Sequence, residues 1–216
     1  MMEKKIVLID YQMGNIKSVE KALTYLGYPV KLSDGIEEIK EAMGVILPGV
    51  GAYRDAIKVL MEKGLDKALR EVVAQNKPFL GICLGMQLLF SYSEENGLYQ
   101  GLDIIPGRVV RFSQGQRIPH LGWNQLYYRE KELERDCNLF SGIKNGSNFY
   151  FLHSYYCIPE SEEVIKARSY YEQPFVSVVS KNRLFGVQFH PEKSSTQGLR
   201  LLKNFGEMCL AYYSSY

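Results

Sequence analysis

One cysteine lies in a short glycine-flanked motif that is typical of catalytic nucleophiles. Residues 81–85 have the sequence Gly-Ile-Cys-Leu-Gly, the thiol form of the nucleophile elbow, in which a sharp strand-to-helix turn presents the reactive side chain. Such a turn would place the sulfur of Cys83 over the carboxyl edge of a sheet, with the backbone N–H of Leu84 directed at an oxyanion. A buried structural cysteine is the alternative, and these five residues alone do not exclude it.

A thiol nucleophile needs a general base, and histidine commonly serves. The chain has three histidines, His120, His153 and His190. His190 follows the apolar run 184–189, so it comes at the end of a predicted strand, as Cys83 does. Pro191 prevents this strand from continuing, and the carboxylate of Glu192 can return to the imidazole. Cys83, His190 and Glu192 are therefore a candidate triad, although a core histidine and a solvated glutamate are the alternatives.

The residues around Cys83 predict the elements that must position it. The apolar run 78–82 predicts a buried strand, and Leu84, Leu88 and Leu89 lie at the spacing of a helix that follows directly. Further strands are predicted at 5–10, 29–32 and 44–47, and helices at 16–26, 36–43, 52–60 and 65–73. This alternation predicts an α/β fold with a doubly wound, mostly parallel sheet, flavodoxin-like, and helices on both faces.

The second half of the chain has a different pattern, in which short apolar runs are separated by turns. Antiparallel strands are predicted at 108–112, 125–128, 148–152, 164–170, 175–179 and 184–188, followed by an amphipathic helix at 196–212. Because no linker, repeat or low-complexity segment interrupts the chain, we expect a single domain over residues 1–216.

Composition excludes several classes of protein. A net charge of +2 gives no reason to expect a nucleic-acid partner. The first apolar run ends at Asp10 and no run approaches transmembrane length, so we expect neither a signal peptide nor a membrane span. The four cysteines form no CxxC pair, which argues against a disulfide framework and a zinc site. We therefore expect a protein of the reducing cytoplasm, with no metal and no cofactor.

The motifs resemble those of the class I, or triad, glutamine amidotransferases. The resemblance lies in GICLGMQ at 81–87, FHPE at 189–192 and PGVG at 48–51, which is similar to that family's oxyanion strand. A narrower resemblance, to the glutaminase subunits of imidazole glycerol phosphate synthases, is carried by PGVGAY at 48–53, CLGMQLLF at 83–90, PHLGWN at 119–124 and FHPEKSS at 189–195. One departure is Gln12, where the family usually has glycine.

The resemblance implies a role for each matching residue. Cys83 would attack the carboxamide of glutamine, His190 would act as base and acid, and Glu192 would orient His190. The implied oxyanion hole consists of Gly49, Val50, Gly51 and Leu84. The implied glutamine-binding residues are Gln87, Glu95, Ser154 and Tyr155. For Glu95 the alternative is the end of a solvated helix.

The resemblance also implies a partner, because we expect a chain of this length to hold no synthase domain as well. That partner would be the barrel-shaped cyclase subunit, which uses the ammonia to form imidazole glycerol phosphate and an aminoimidazole carboxamide ribonucleotide in histidine biosynthesis. The implied interface residues are Asn15, His120, Trp123, Tyr150 and Lys193. A core position for His120 and Trp123, and a solvated Lys193, are the alternatives.

Three other functions stay open at this point. The same glutaminase chemistry could serve a paralogous sugar-amidinating synthase, and the sequence has no residue that recognises the acceptor. A stand-alone cysteine peptidase or amidase is disfavoured by PGVG at 48–51 together with Gln87. A non-catalytic binding subunit is disfavoured because Cys83, His190 and Glu192 are all present.

We predict that Cys83 is the only essential thiol, because no other cysteine lies in an elbow motif. A glutamine-analogue alkylating agent is expected to label Cys83 and to abolish glutamine-dependent synthesis, while external ammonia still supports the reaction of the partner. Peptide mass spectrometry locates the label. Labelling of another cysteine, together with a Cys83→Ala variant that still uses glutamine, would refute this prediction.

Overall fold

The computed structural model describes residues 5–12, 15–113, 117–128 and 138–214, and it confirms the predicted α/β class. The strands of the first half are β1 (Ile6–Ile9), β2 (Val30–Ser33), β3 (Gly44–Gly49) and β4 (Phe79–Cys83). The helices between them are α1 (Ile16–Tyr25), α2 (Ile36–Glu41), α3 (Tyr53–Glu62) and α4 (Leu65–Ala74). All of these were predicted, and their ends are shifted by only a residue or two.

The second half contains one short helix, nine strands and a long terminal helix among the described residues. In chain order they are α5 (Leu84–Gln87), β5 (Phe90–Ser93), β6 (Tyr99–Gln100), β7 (Ile105–Arg111), β8 (His120–Gln125), β9 (Asn148–His153), β10 (Tyr155–Pro159), β11 (Ile165–Tyr171), β12 (Gln173–Lys181), β13 (Leu184–Val187) and α6 (Ser195–Ser214). A short 3-10 helix, Pro191–Lys193, connects β13 to α6.

The strand order places Cys83 inside the main sheet. Strands β2, β1, β3, β4 and β13 are parallel neighbours in that order, which is the flavodoxin-like order with β13 as its fifth strand. The sheet continues through β12, β10, β7, β5 and β6, and β11 pairs with β12. Strands β8 and β9 form a separate antiparallel pair. The carboxyl end of β4 therefore lies between those of β3 and β13.

Two apolar cores, one on each face of the sheet, hold the helices in place. Leu8 and Ile46 belong to the core that includes α1 and α6, whereas Val7, Val45 and Leu47 belong to the core that includes α2, α3 and α4. Because alternate residues of one strand enter opposite cores, both faces must be apolar, which explains the continuous apolar runs.

In the described part of the chain, no helix has the length and apolar character needed to cross a membrane.

The helix predicted after Cys83 is wrong in length. The sequence pattern predicts a helix that continues to Phe90, but helix α5 is a single turn and β5 begins at Phe90. Leu88, Leu89 and Phe90 are completely buried, and a segment buried on all sides has no period that distinguishes helix from strand. Because one turn has only a small dipole, groups other than this helix must stabilise a thiolate at Cys83.

The strand predicted at 125–128 is misplaced. Strand β8 lies earlier in the chain and pairs with β9 along its length, from His120 to Gln125. Strands β5, β6 and β10 were not predicted as strands. Pairing with partners distant in sequence decides where such strands lie, and a local pattern does not contain that information.

The turn that carries Cys83 is strained and tightly packed. Cys83 has φ 55° and ψ −110°, a conformation that residues other than glycine seldom adopt. A Cβ at Gly85 would lie 1.8 Å from the carbonyl oxygen of Leu47, and a Cβ at Gly81 would lie 2.8 Å from that of Gly85. Both glycines of the motif are therefore required by packing, which fixes the elbow against β3.

We expect Gly85→Ala to lower the free energy of unfolding by about 3 kcal/mol or more, because the added Cβ collides with the backbone of β3. Gly35→Ala is the matched control. Gly35 has an ordinary φ of −75°, and its Cβ would meet the Ser33 side-chain oxygen at 3.2 Å, so we expect a loss of about 1 kcal/mol or less. Urea unfolding followed by circular dichroism measures both, and equal losses would contradict the packing argument.

Candidate active site

A cavity of about 310 Å³ lies at the carboxyl edge of the sheet and contains Cys83. Gly49 ends β3 and is the register partner of Cys83, which ends β4. His190 follows β13, so all three segments meet at one edge. Nine residues predicted from the sequence line this cavity: Val50, Gly51, Cys83, Leu84, Gln87, Glu95, Ser154, Tyr155 and His190.

The predicted base, His190, and the predicted orienting carboxylate, Glu192, are both buried. The His190 and Glu192 side chains are 2% and 1% exposed, and Nδ1 of His190 donates to Oε1 of Glu192 at 2.8 Å. The backbone N–H of His190 donates to the carbonyl of Tyr150 at 2.9 Å. Because Nδ1 donates to Glu192, Nε2 is the ring nitrogen left to interact with Cys83.

The Cys83 sulfur has two polar neighbours besides the histidine. As a thiol it donates to the carbonyl of Leu152 at 3.7 Å, and Nε2 of Gln188 donates to the sulfur at 3.7 Å. Gln188 is not among the residues predicted from the sequence. The available clue was its position two residues before His190, because alternate residues of an extended segment point to the same side.

Two predicted glutamine-binding residues present acceptors to the cavity. Nε2 of Gln87 donates both to the carbonyl of Tyr155 and to Oε1 of Gln188, each at 3.0 Å. Both N–H groups of the Gln87 amide are thereby used, which leaves its Oε1 for a ligand. Glu95 lines the same cavity, and its Oε2 accepts from the backbone N–H of Tyr53 at 2.9 Å.

The predicted oxyanion segment packs directly on the elbow. A Cβ at Gly49 would lie 2.9 Å from Cβ of Leu84 and 2.6 Å from Oη of Tyr11. The Tyr11 hydroxyl donates to the carbonyl of Pro48 at 2.8 Å, and burial raises the pKa of Tyr11, so the hydroxyl keeps its proton. Tyr11 therefore fixes one end of the segment. At the other end, Gly51 has φ 101°, a backbone conformation that favours glycine.

The family described as "Glutamine amidotransferase class-I" matches residues 7–209. The chain belongs to this family. The imidazole glycerol phosphate synthase subunit HisH of Moorella thermoacetica is 53% identical over 205 residues, 95% of this chain and 95% of that protein. The subunit of the same name from Geobacillus kaustophilus is 48% identical over 206 residues, 93% of this chain and 95% of that protein.

Solved structures show the same fold at lower identity. The structure of PurLQS from Thermotoga maritima matches with a TM-score of 0.70 at 18% identity, over 98% of this chain and 100% of that chain. A crystal structure of a glutamine amidotransferase also matches with a TM-score of 0.70, at 20% identity over 94% and 98%. These likenesses support the class-I amidotransferase architecture.

In this class-I amidotransferase, the pKa of His190 depends on Cys83 and Glu192, its two partners in the predicted triad. Burial lowers the pKa of His190, but the charge and hydrogen-bonding capacity of Cys83, together with Glu192, outweigh it and raise that pKa to about 10. The imidazole is therefore protonated at neutral pH and can act as the counter-ion of a thiolate when one forms at Cys83. The described parts of the chain contain no group of side chains suited to holding a metal ion.

Three of the predicted interface residues cluster on the surface near the cavity. Trp123 is 55% exposed, and its ring lies edge-on to Tyr150 at 6.0 Å. Nζ of Lys193 lies 5.9 Å from the centre of the Tyr150 ring. Asn15 precedes α1, which contacts the 3-10 helix containing Lys193. We call Trp123, Tyr150 and Lys193, together with the exposed Leu121, the aromatic patch.

The prediction that His120 faces a partner is wrong. His120 is 3% exposed, and its Nδ1 lies 2.9 Å from Nε2 of His153. His120 and Trp123 are three positions apart on β8, so their side chains point to opposite faces of the strand. Burial lowers the pKa of His120 to about 4 and that of His153 to about 3, so both imidazoles are neutral.

Replacement of Cys83 by Ala is expected to lower the pKa of His190 from about 10, because burial is then opposed by Glu192 alone. NMR titration of the imidazole protons measures the change. The titration of His190 is distinct in pH from those of the other two histidines, because burial lowers the pKa of His120 to about 4 and that of His153 to about 3.

Cys209→Ala is the matched control for this titration. Cys209 is a completely buried thiol on α6 that is not among the groups acting on His190. We expect its removal to leave the His190 titration unchanged. A His190 titration that is the same in Cys83→Ala as in the parent protein would rule out the ion pair.

Proposed function

We propose that this chain is the glutaminase subunit of an imidazole glycerol phosphate synthase. It hydrolyses glutamine to glutamate and ammonia and passes the ammonia to a cyclase subunit, which forms imidazole glycerol phosphate and aminoimidazole carboxamide ribonucleotide in histidine biosynthesis. The proposal is supported above all by the buried His190–Glu192 pair beside Cys83, in a chain 53% identical to a HisH subunit. We identify no described residue that recognises the acceptor, so the assignment to histidine biosynthesis rests on the similarity to HisH subunits.

Glutamine binds with its α-ammonium group toward the acceptors of the cavity. Oε1 of Gln87 and the carboxylate of Glu95 both accept hydrogen bonds, which suits a cationic group. The main chain at Ser154 and Tyr155 borders the same space. The side-chain carboxamide of the substrate then extends toward the sulfur of Cys83.

Acylation begins when the Cys83 thiolate attacks the amide carbon and the carbonyl electrons move to oxygen. The resulting oxyanion accepts hydrogen bonds from the N–H of Leu84 and from the segment 49–51. His190 then gives its proton from Nε2 to the leaving nitrogen, the C–N bond breaks, and ammonia and a thioester result.

Deacylation uses the same groups in reverse. Neutral His190 takes a proton from water while the water oxygen attacks the thioester carbon, and the C–S bond breaks to give glutamate and the thiolate. Glu192 stays ionised throughout and stabilises the imidazolium through Nδ1. The resting ion pair of Cys83 and His190 is thereby restored.

The cyclase docks over the carboxyl edge of the sheet, at the aromatic patch. Leu121 and Trp123 are 60% and 55% exposed, and exposed apolar side chains of this size are typical of interface cores. Leu152 is 37% exposed and lines the cavity itself. Docking there lets ammonia leave without meeting solvent, where protonation would remove its nucleophilicity.

We also propose that residues 1–216 act as one glutamine amidotransferase domain in the cytoplasm, without a cofactor or a nucleic-acid partner. Cys83, Cys157 and Cys209 are free thiols, which agrees with a reducing compartment. Cys137 lies outside the described residues.

The isolated chain is expected to hydrolyse glutamine weakly, with a large increase when the cyclase and its ligand are added. The reason is that the two glycines of segment 49–51 allow its peptides to turn an N–H toward or away from the oxyanion. A coupled assay of glutamate release, with and without the cyclase, measures the change. Equal rates for the isolated chain and the complex would refute this switch.

Two surface lysines test the docking site, Lys193 as the test position and Lys181 as its control. We expect Lys193→Ala to keep the residual rate of the isolated chain but to uncouple ammonia transfer from glutamine hydrolysis. Lys181 is exposed at the end of β12, which runs antiparallel to β13 and so ends at the opposite edge of the sheet. Lys181→Ala is expected to leave both hydrolysis and transfer unchanged.

A further inference from the structure

The side-chain amide of Gln188 is buried between the nucleophile and the glutamine pocket. Gln188 is completely buried. Its Nε2 donates to the sulfur of Cys83 at 3.7 Å, and its Oε1 accepts from Nε2 of Gln87 at 3.0 Å. The two ends of one amide thus join the nucleophile to a residue of the pocket, and the mechanism above assigns Gln188 no role.

We propose that Gln188 is a further catalytic residue, whose N–H stabilises the Cys83 thiolate and whose carbonyl fixes the orientation of Gln87. The first role concerns the thiol of the isolated chain and is independent of the reaction that the thiol performs. The second role rests on the proposed function, because it concerns glutamine binding by Gln87.

The surrounding hydrogen bonds determine which way the Gln188 amide points. His153 is neutral and donates from Nδ1 to the carbonyl of Tyr155 at 2.8 Å. The same carbonyl accepts one N–H of Gln87, and the second N–H of Gln87 goes to Oε1 of Gln188. With its oxygen used in this way, Gln188 must direct its N–H groups toward Cys83.

The other groups that act on the sulfur do not replace this donor. Tyr11 and Cys157 interact electrostatically with Cys83, but burial raises the pKa of both, so they remain uncharged. Of Tyr11, Cys157 and His190, only His190 is a cation, because its pKa is raised to about 10, and it gives its proton away when ammonia leaves. An amide N–H keeps its proton at every step, so it also stabilises the thiolate that departs when the thioester breaks.

Alkylation of the isolated chain by iodoacetamide tests the first role, because only the thiolate reacts. Gln188→Met keeps the length of the side chain but removes the N–H, and Gln188→Asn keeps an amide that is too short to reach the sulfur. We expect both variants to slow alkylation of Cys83 at neutral pH by about tenfold, the effect expected from losing a hydrogen bond to a charged group. In both, the rate recovers as the pH is raised.

Ser177→Ala is the matched control, since Ser177 is completely buried beside Gln188 and its hydroxyl has no partner among the described residues. We expect its alkylation rate to equal that of the parent protein. Circular dichroism melting identifies any variant that does not fold. The alkylation rate of Gln188→Met or Gln188→Asn, whichever folds, then tests the first role. A folded variant that alkylates at the parent rate at every pH overturns the proposal.

A double-mutant cycle with Gln87 tests the second role in the complex with the cyclase. We expect Gln188→Met to raise KM and lower kcat. In a Gln87→Met background, it is expected to lower kcat without raising KM further, because Gln87 is no longer there to be oriented. Additive effects on KM overturn the second role alone. Absence of glutaminase activity from the parent complex, with alkylation of Cys83 still dependent on Gln188, would refute the proposed function and leave the first role intact.

Discussion

The close approach of the elbow to β3 is the constraint on which the rest of the site depends. Gly85 lies so near the carbonyl of Leu47 that no Cβ fits between them, and two residues earlier Cys83 has a strained backbone conformation. Gly49 at the end of β3 packs against Leu84 in the same region, which places the predicted oxyanion segment 49–51 beside the elbow. One packed region thus positions both the predicted nucleophile and the predicted oxyanion hole.

Charge distribution around the cavity explains why three buried histidines differ. Burial lowers the pKa of all three, but only His190 lies against Cys83 and Glu192, whose interactions with the imidazole outweigh burial. His153 is additionally disfavoured as a cation by the nearby charge of His190. Neutral His120 and His153 can therefore form a directed chain of hydrogen bonds to the carbonyl of Tyr155, which charged imidazoles would break.

The β8–β9 pair connects the surface to the chemistry. The carbonyl of Tyr150 holds the backbone of His190, and the carbonyl of Leu152 contacts the sulfur of Cys83. The same two residues of β9 face Trp123 and Leu121 across the strand pair, within the aromatic patch. A protein bound to this patch would therefore contact the strand whose carbonyls accept hydrogen bonds from the backbone of His190 and from the Cys83 thiol.

The amino-acid sequence by itself determined the parallel half of the fold and indicated the candidate triad. Buried parallel strands leave continuous apolar runs, and the elbow needs glycines at fixed positions, so both are visible locally. Position 12 illustrates the limit of such local evidence: Gln12 has φ 68°, a value that explains why the family usually has glycine there, yet the sequence shows only the departure.

Tertiary structure alone decided the rest. The length of α5, the place of β8 and the burial of His120 depend on partners distant in the chain, which no local period records. Gln188 and Tyr11 join the site only because strands far apart in sequence become neighbours in the sheet. Hydrogen bonds and charges act over a few ångströms of space, whatever the separation along the chain, so the roles of these two residues are defined only in the folded protein.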